Sequence, residues 1–504
     1  MVNKGAFPAA GHLVGSDPAL ERYKGILGQQ GYQELLSTLE KPLPGAIRIN
    51  TLKVDPHRSI EKWQKLYNWD IKCVPYYEHG WQVREAEVSI SRTIEHSMGE
   101  YYVQDAASML PVSLFDKSNF KHSLILDMAA SPGGKTTHIS DITCDGSLII
   151  ANDGSASRLQ ALKVVLQNWG SINYAITNYP GEQIGNWYPD TFDAILLDAP
   201  CSMENLRHGI HQEARQTTTT ERLRLSQRQF SLLESAFKAL KSGGQLVYAT
   251  CSLAPEEDEM VLDALLKKYP REARIVDIPK SIIDAPGLTR FGDQELEPSL
   301  RNALRLWPHI ADTSGFFCAK IDKLGPVSNS EQQIPSRDFA KTGLRALQAN
   351  EVSQISGAIS DDFGFDIQEA MDTLDVDLFS RNNAIFLVPR RFHREFNSWP
   401  FHSLGMQIGK LIGQTFQPTH ELLSRFGYHF TKGIVYLPDE QVGLWMAGLD
   451  LRSDLPQAPA DGRTSLVMDN HGRILGGGKV QANRLRNLLP SHCLLPGISS
   501  KNRR

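Results

Sequence analysis

Two cysteines occur where sulfur chemistry becomes available. The run Phe192-Asp193-Ala194-Ile195-Leu196-Leu197-Asp198-Ala199-Pro200-Cys201 is apolar until it ends in an acid, a proline and a thiol. Ala194 to Leu197 is too short and too uniformly apolar for an amphipathic helix, and Pro200 cannot donate to a sheet ladder. The run therefore reads as a buried central strand with Asp198 and Cys201 at its carboxyl end, the end at which open α/β sheets bind ligands. Gln245-Leu246-Val247-Tyr248-Ala249-Thr250-Cys251-Ser252 repeats the design after Gly243-Gly244. A thiolate is a strong nucleophile near neutral pH, and an acid beside it can orient or protonate what it attacks. A lone cysteine is usually a small buried hydrophobe, whereas two at strand tips, one beside an acid, point to nucleophilic chemistry.

A glycine loop adds a nucleotide. Leu124-Ile125-Leu126-Asp127 reads as a strand, Ala129-Ala130-Ser131-Pro132-Gly133-Gly134-Lys135 as a tight loop, and Thr136 onward as a helix. The next strand, Ser147 to Ala151, ends at Asn152-Asp153, about 20 residues past the loop, which is the separation of an acid that grips a ribose. Ala129-x-x-x-x-Gly134-Lys135-Thr136 departs from a P-loop only at its first glycine, and Ile195 to Asp198 imitates the magnesium-binding strand of such enzymes. A P-loop NTPase is therefore a rival reading, with Lys135 on phosphates and Thr136 and Asp198 on magnesium. It leaves Asp153 and both cysteines idle. A nucleoside cofactor with a free ribose uses Asp153 directly, and S-adenosyl-L-methionine is one whose sulfonium methyl needs a nucleophile.

These elements must be held by a chain of 504 residues, enough for about three domains. With 41% hydrophobic and 22% charged residues it has the composition of a globular protein, and a net charge of -4 excludes holding nucleic acid by bulk charge, so RNA requires a local basic face. The six cysteines form no CxxC pair and no His cluster accompanies them, which supports neither a disulfide framework nor a metal site. Without an apolar leader after Met1 or a run of about 18 apolar residues, the expectation is a cytoplasmic monomer with no membrane partner.

Residues 1–105 mix helix and strand signals, and their aromatics (Trp63, Tyr67, Trp69, Tyr76, Tyr77, Trp81) are expected mainly in a core, with base stacking the minority reading. Residues 106–323 alternate strand and helix, as a mainly parallel sheet requires; one helix carries Phe230, Leu233, Phe237 and Leu240 and closes on Ser242-Gly243-Gly244. A linker is expected at 324–340, a mixed α+β unit at 341–425, and a strand- and glycine-rich unit at 426–504 forming a small β-barrel. Lys479, Arg484, Arg486, Lys501, Arg503 and Arg504 make that last unit locally basic, which serves either phosphates or a solvated end.

Asp127 to Lys135, Asp198-Ala199-Pro200-Cys201 and Thr250-Cys251-Ser252 together resemble the RNA (cytosine-5)-methyltransferase family. The likeness extends through Tyr101 to Ser108, Asn152-Asp153 with Ser157-Arg158, Arg305 to His309 and Gly315-Phe316-Phe317. Gly405 to Lys410, Pro418-Thr419-His420 and Leu475 to Lys479 resemble the C-terminal extension of the bacterial branch that methylates 16S rRNA, which includes a PUA-like RNA-binding domain. The resemblance implies an α/β fold with a Rossmann-like adenosylmethionine-dependent methyltransferase core, an N-terminal α+β RNA-binding module and a C-terminal α+β and PUA-like extension. It implies Cys251 as nucleophile on a cytosine, Cys201 in product release, Asp198 as an acid on the base, and Lys135 beside it. The cofactor set it implies is Asp127, Ala129, Ala130, Ser131, Pro132, Gly133, Gly134, Lys135, Asp153, Arg158, Asn178 and Asp198. The partner is rRNA or the small ribosomal subunit, with tRNA and a non-catalytic RNA-binding assembly factor as the alternatives. This chain departs from the family in Ser202-Met203-Glu204-Asn205, which lacks the usual two glycines, and in Pro180, where an acid on the adenine is expected and Asn178 stands as substitute.

Overall fold

The computed structural model describes residues 18–120, 122–207, 217–279, 282–328, 332–413, 415–452, 462–481 and 484–495. The N-terminal module is an antiparallel sheet of β1 (Gly45–Ile49), β2 (Asp70–Val74), β3 (Tyr77–Glu85) and β4 (Tyr101–Val103) in the order β2-β3-β1-β4. The helix Pro56–Tyr67 packs on it; Asp55 caps the helix by accepting from the Arg58 amide at 2.8 Å, and Pro56 presets the first turn. Trp63, Trp69, Tyr77 and Tyr101 are buried, so the module spends most of its aromatics on its own core.

The main sheet is built from β5 (Leu124–Asp127), β6 (Leu148–Asn152), β7 (Tyr174–Thr177), β8 (Phe192–Asp198) and β9 (Leu240–Thr250), all parallel. Beyond β9 lie β10 (Ala273–Ile275), a hairpin of β11 (Arg290–Phe291) and β12 (Gln294–Glu295), then β13 (Leu304–Leu306) and β14 (Phe316–Lys323). The path runs β10-β14-β9-β8-β5-β6-β7 and then a strand from the next unit, β18 (Ser403–Leu404), antiparallel on β7. β5 to β9 have hydrophobic runs buried on both faces, as helix-covered parallel strands require. The helix Thr219–Ala239 ends one residue earlier than its spacing suggests. Leu240 is extended and pairs with Phe192, so Gly243-Gly244 belongs to β9 rather than to a helix cap.

The boundaries expected after residue 323 are softer than the composition indicates. The linker is tied down where Arg337 donates to the Phe401 carbonyl at 2.9 Å. A five-stranded sheet follows, of β15 (Arg345–Ala346), β16 (Val376–Arg381), β17 (Ala384–Pro389), β19 (Met406–Ile412) and β20 (Thr415–Pro418). The last sheet holds β21 (Ile434–Leu437), β22 (Thr464–Asp469), β23 (Ile474–Gln481) and β24 (Arg484–Asn487) in chain order. Among the described residues β21 and β24 do not pair, and β21 runs parallel to β22, so this sheet is open rather than closed into a barrel. The helix His420–Phe426 crosses the expected 425/426 boundary and buries Leu422, Leu423 and Phe426 in one apolar cluster with Ile359, Phe363, Trp445 and Leu466, so these two units share a core.

β13 is locked beneath the second thiol. Arg305, fully buried, donates Nε to Glu259 Oε1 at 2.6 Å and Nη1 to the Leu253 carbonyl at 3.0 Å, with Asp258 Oδ2 at 3.5 Å. Burial opposes its charge, but Glu259 and Asp258 outweigh it and hold the guanidinium above its ordinary range. Removing one partner of a buried ion pair strands the other. Arg305→Ala is expected to lower unfolding free energy by about 3 to 5 kcal/mol in urea denaturation, and a change under about 1 kcal/mol would contradict this account of the lock.

Candidate active site

β5 and β8 are neighbours although they are not consecutive in the sheet's parallel part; the chain moves outward from β5 to β6 and β7, then returns to β8 on the other side. This is a topological switch point, where helices on opposite faces leave a crevice at the carboxyl ends. Asp127 ends β5 and Asp198 ends β8, so both carboxylates open into it. Of the expected residues, Asp127, Ala129, Ala130, Ser131, Pro132, Gly134, Lys135 and Asp198 line one cavity of about 230 Å³. Gly133, Asp153, Arg158, Asn178, Cys201 and Cys251 are not part of its lining.

Lys135, in the first turn of the helix Gly134–Ile142, donates from Nζ to Asp198 Oδ2 at 2.7 Å. Burial works against the ammonium, but the charge and hydrogen bond of Asp198 outweigh it and raise the lysine above its usual range. The acid expected to contact the base is thus joined to Lys135 by a direct hydrogen bond. Cys201 and Cys251 are both free thiols, and their sulfurs lie 2.7 Å apart. The hydrogen bond to Cys251, then burial, pushes the Cys201 thiol well above the usual thiol range. After Cys201, where the two glycines are missing, Met203 takes φ 64° with a 51% exposed side chain, while the Glu204 carbonyl accepts from the Leu253 amide at 3.1 Å and its carboxylate accepts two bonds from Arg222.

On the cofactor side, Thr136 donates to Asp127 Oδ2 at 2.6 Å and is itself fully buried, which removes its hydroxyl from any magnesium. Asp127 Oδ1 is buried without a partner, and burial lifts this carboxyl to about 7. Asp153 at the end of β6 accepts from the Ser131 amide at 3.1 Å and the Ser155 amide at 2.9 Å, with Arg158 Nη1 at 3.6 Å. Asn178 donates to the Asp153 carbonyl at 2.6 Å, so it braces that acid. The glycines answer to protein packing as well as to ligand approach. A Cβ on Gly133, at φ +116°, would meet Leu162 and Val165 of the helix Leu159–Trp169 that follows β6, and one on Gly134 would come within 2.9 Å of the Tyr102 ring.

Sequence reasoning did not assign Tyr102, Gln104 or Ser108 to the site, yet all three line the cavity. The signal was the Tyr101–Ser108 block, which carried likeness without a role. Arg48 secures it: Nε donates to Gln104 at 3.0 Å, Nη2 to the Gly134 carbonyl at 3.0 Å and to Thr137 at 2.6 Å, and the guanidinium lies 4.2 Å from the Trp169 ring centroid. One arginine thus joins the N-terminal sheet to the glycine loop. Among the described residues no group of three or more His, Cys, Asp or Glu is arranged to hold a metal, and no helix is long and apolar enough to cross a membrane.

A switch-point cavity closed by a glycine loop, with acids on its strands and a thiol pair beside it, is the arrangement of a Rossmann-like methyltransferase. The sequence matches the family model for 16S rRNA methyltransferase RsmB/F over residues 116–322 and that for the N-terminal domain of 16S rRNA methyltransferase RsmF over residues 17–106. It is 33% identical over 461 residues to the ribosomal RNA small subunit methyltransferase F of Aeromonas salmonicida, covering 91% of this chain and 92% of that protein. It is 28% identical over 475 residues to the protein of the same name in Vibrio campbellii, covering 94% and 96%. A methyltransferase homologue from Pyrococcus horikoshii has a similar solved structure, with a TM-score of 0.54 and 33% identity over 62% of this chain and 96% of that one. The chain belongs to the 16S rRNA methyltransferase RsmB/F family.

Thr136→Val removes what is, among the described residues, the one donor to a buried carboxylate oxygen whose twin has no partner there. Leaving such a group unsatisfied costs about 1 to 3 kcal/mol, which denaturant unfolding at neutral pH is expected to register. Unchanged stability would mean that Asp127 does not depend on this bond.

Proposed function

We propose that this chain transfers a methyl group from S-adenosyl-L-methionine to carbon 5 of a cytosine in 16S rRNA, through a covalent bond between Cys251 and the base. The observation that carries the reading is the pair of sulfurs 2.7 Å apart past the ends of neighbouring strands, with Asp198 at the tip of one of those strands bound to Lys135. The cofactor fits the residues present: among the described residues Asp127 Oδ1 is an unpartnered buried acceptor at the cavity, and the helix Gly134–Ile142 has no side-chain cap over its first amides, which suits a carboxylate; Asp153, bound to the Ser131 amide of the glycine loop, is the acid proposed for the ribose. The substrate class comes from the relatives, whose names specify the small-subunit RNA. Exposed Arg484 and Arg486 and half-buried Lys479, on β24 and β23, offer phosphate contacts in a PUA-like unit; Lys501, Arg503 and Arg504 lie outside the described residues. The enzyme acts as a monomer and without a metal.

The chemistry follows from the base. Carbon 5 of an intact cytosine ring is a weak nucleophile. The Cys251 thiolate forms a bond to carbon 6, the ring electrons move toward N3, and N3 takes a proton from the Lys135–Asp198 pair, which leaves enamine character at carbon 5. When bound, S-adenosyl-L-methionine supplies the electrophilic methyl that carbon 5 accepts. Once Cys251 is bonded to the base, the hydrogen bond that most raises the Cys201 thiol is lost and Cys201 gives its proton to solvent; as thiolate it takes the carbon 5 proton, that electron pair restores the double bond between carbons 5 and 6, Cys251 leaves as thiolate, and N3 returns its proton. The NTPase reading loses its magnesium ligand, because the Thr136 hydroxyl is bound to Asp127.

Purified protein given labelled cofactor is expected to label cytosine in 16S rRNA or in small subunits and not in tRNA; label absent from rRNA cytosine would sink the proposal. Cys201→Ala is expected to accumulate a denaturant-resistant protein–RNA adduct and Cys251→Ala to form none, and the reverse pattern would exchange the two roles. The Asp127 carboxyl titrates at about 7, and its carboxylate form accepts from a cofactor ammonium whereas its acid form does not. Cofactor affinity measured by calorimetry is therefore expected to rise with pH through about 7, and Asp127→Asn to flatten the profile.

A further inference from the structure

The mechanism leaves one buried carboxylate at the thiol pair without a task. Glu257 is fully buried between the end of β9 and the helix Glu259–Lys268. Its Oε2 accepts from the Ser202 amide at 2.9 Å and from Gln229 Nε2 at 2.9 Å, its Oε1 accepts from the Ser252 hydroxyl at 3.0 Å, and the Ser202 hydroxyl also donates to it. Gln229, from the helix Thr219–Ala239, donates in addition to the Pro200 carbonyl at 2.9 Å. The backbone carbonyl of Glu257 accepts from the Tyr248 hydroxyl at 2.6 Å, which fixes the carboxylate relative to β9.

Ser202 and Ser252 are the residues that follow Cys201 and Cys251, and their hydroxyls are 3.3 Å apart. A single carboxylate therefore grips both chains immediately past their sulfurs. These donors are neutral amides and hydroxyls. A buried carboxylate held this way is costly to keep, and such networks specify geometry more than they add stability. In the proposed reaction the two sulfurs must serve neighbouring ring atoms, Cys251 on carbon 6 and Cys201 on the proton of carbon 5, so their separation governs release.

We propose that Glu257 is the positioning residue of the thiol pair: through Ser202 and Ser252 it sets the distance between the two sulfurs and thereby the rate at which the methylated base is released. This rests on the methyltransferase reading given above. The geometric part stands apart from it, because thiol separation can be read without any methyl transfer.

The test uses the full chain and the Glu257→Gln variant, which keeps the side-chain size but turns an amide toward groups that already donate. Diamide oxidises two adjacent thiols to a disulfide and is itself reduced to the hydrazine. The Cys201–Cys251 disulfide is expected to form at least about tenfold more slowly in E257Q, while alkylation of exposed Cys73 and Cys144 proceeds at the wild-type rate. With labelled cofactor and rRNA, kcat is expected to fall about 100-fold with the cofactor KM within about twofold, and the denaturant-resistant adduct to accumulate as release slows. Ser252→Ala, which removes one tie and is less exposed to misfolding, is expected to fall between E257Q and wild type in both readouts. A wild-type disulfide rate in both variants overturns the proposal, as does a fall in kcat without adduct that simply follows lost thermal stability. If the wild-type chain methylates no cytosine, the functional reading fails, and the disulfide rates still decide whether Glu257 holds the sulfurs.

Discussion

Asp198 sits opposite Ala249 because β8 and β9 run parallel and in register, so both chains leave the sheet at the same level. Three residues past Asp198 comes Cys201, and two past Ala249 comes Cys251, so the ladder brings the two sulfurs to the same end of the sheet and the loop contacts past them set their separation. β8 and β9 are largely buried on both faces, so a register slip would replace each packed side chain by a neighbour of different shape and open the core. The apolar cores of these strands thus determine the position of the chemistry at their tips.

Charge reinforces the register from the other side of the crevice. Lys135 bridges the helix after β5 to the tip of β8, across the switch point, and Arg48 bridges that same loop to the N-terminal sheet. Arg305 and Glu257 do corresponding work on the loop after β9. Arg48, Arg305 and Glu257 are buried and multiply bonded, a placement that is costly to break because the partners are then stranded in a low dielectric. The site is consequently rigid where the reacting groups sit, and the positive-φ residues Met203 and Leu206 (both φ 64°) lie in the segment after Cys201, with the Met203 side chain 51% exposed.

Much of this was legible in the residues. Short apolar runs ending in Asp127, Asp153, Asp198 and Thr250 identify β5, β6, β8 and β9, since a fully buried parallel strand needs no alternation. Other features carry no local pattern. A two-residue strand such as Ser403–Leu404 gains its pairing only from the free edge of β7. Leu240 fits helical spacing and is taken instead by Phe192. The shared core of the last two units depends on which face of the helix His420–Phe426 is covered, and composition around residue 425 does not report that. Glu257 and Arg48 are invisible as motifs because their partners lie far away in sequence: Gln229 is 28 residues from Glu257, and Thr137 is 89 from Arg48. The bond between Lys135 and Asp198 has no local pattern either, because the two lie 63 residues apart and Lys135 belongs to the cofactor loop.

The central claim is that the paired thiols of β8 and β9 serve methylation of a cytosine at carbon 5. Mass-spectrometric mapping of 16S rRNA from cells with and without this chain tests it most directly. The account predicts that a cytosine carrying a carbon 5 methyl loses it when the chain is absent and regains it with the wild-type sequence but not with Cys251→Ala. An unchanged 5-methylcytosine map, or restoration by Cys251→Ala, would contradict it.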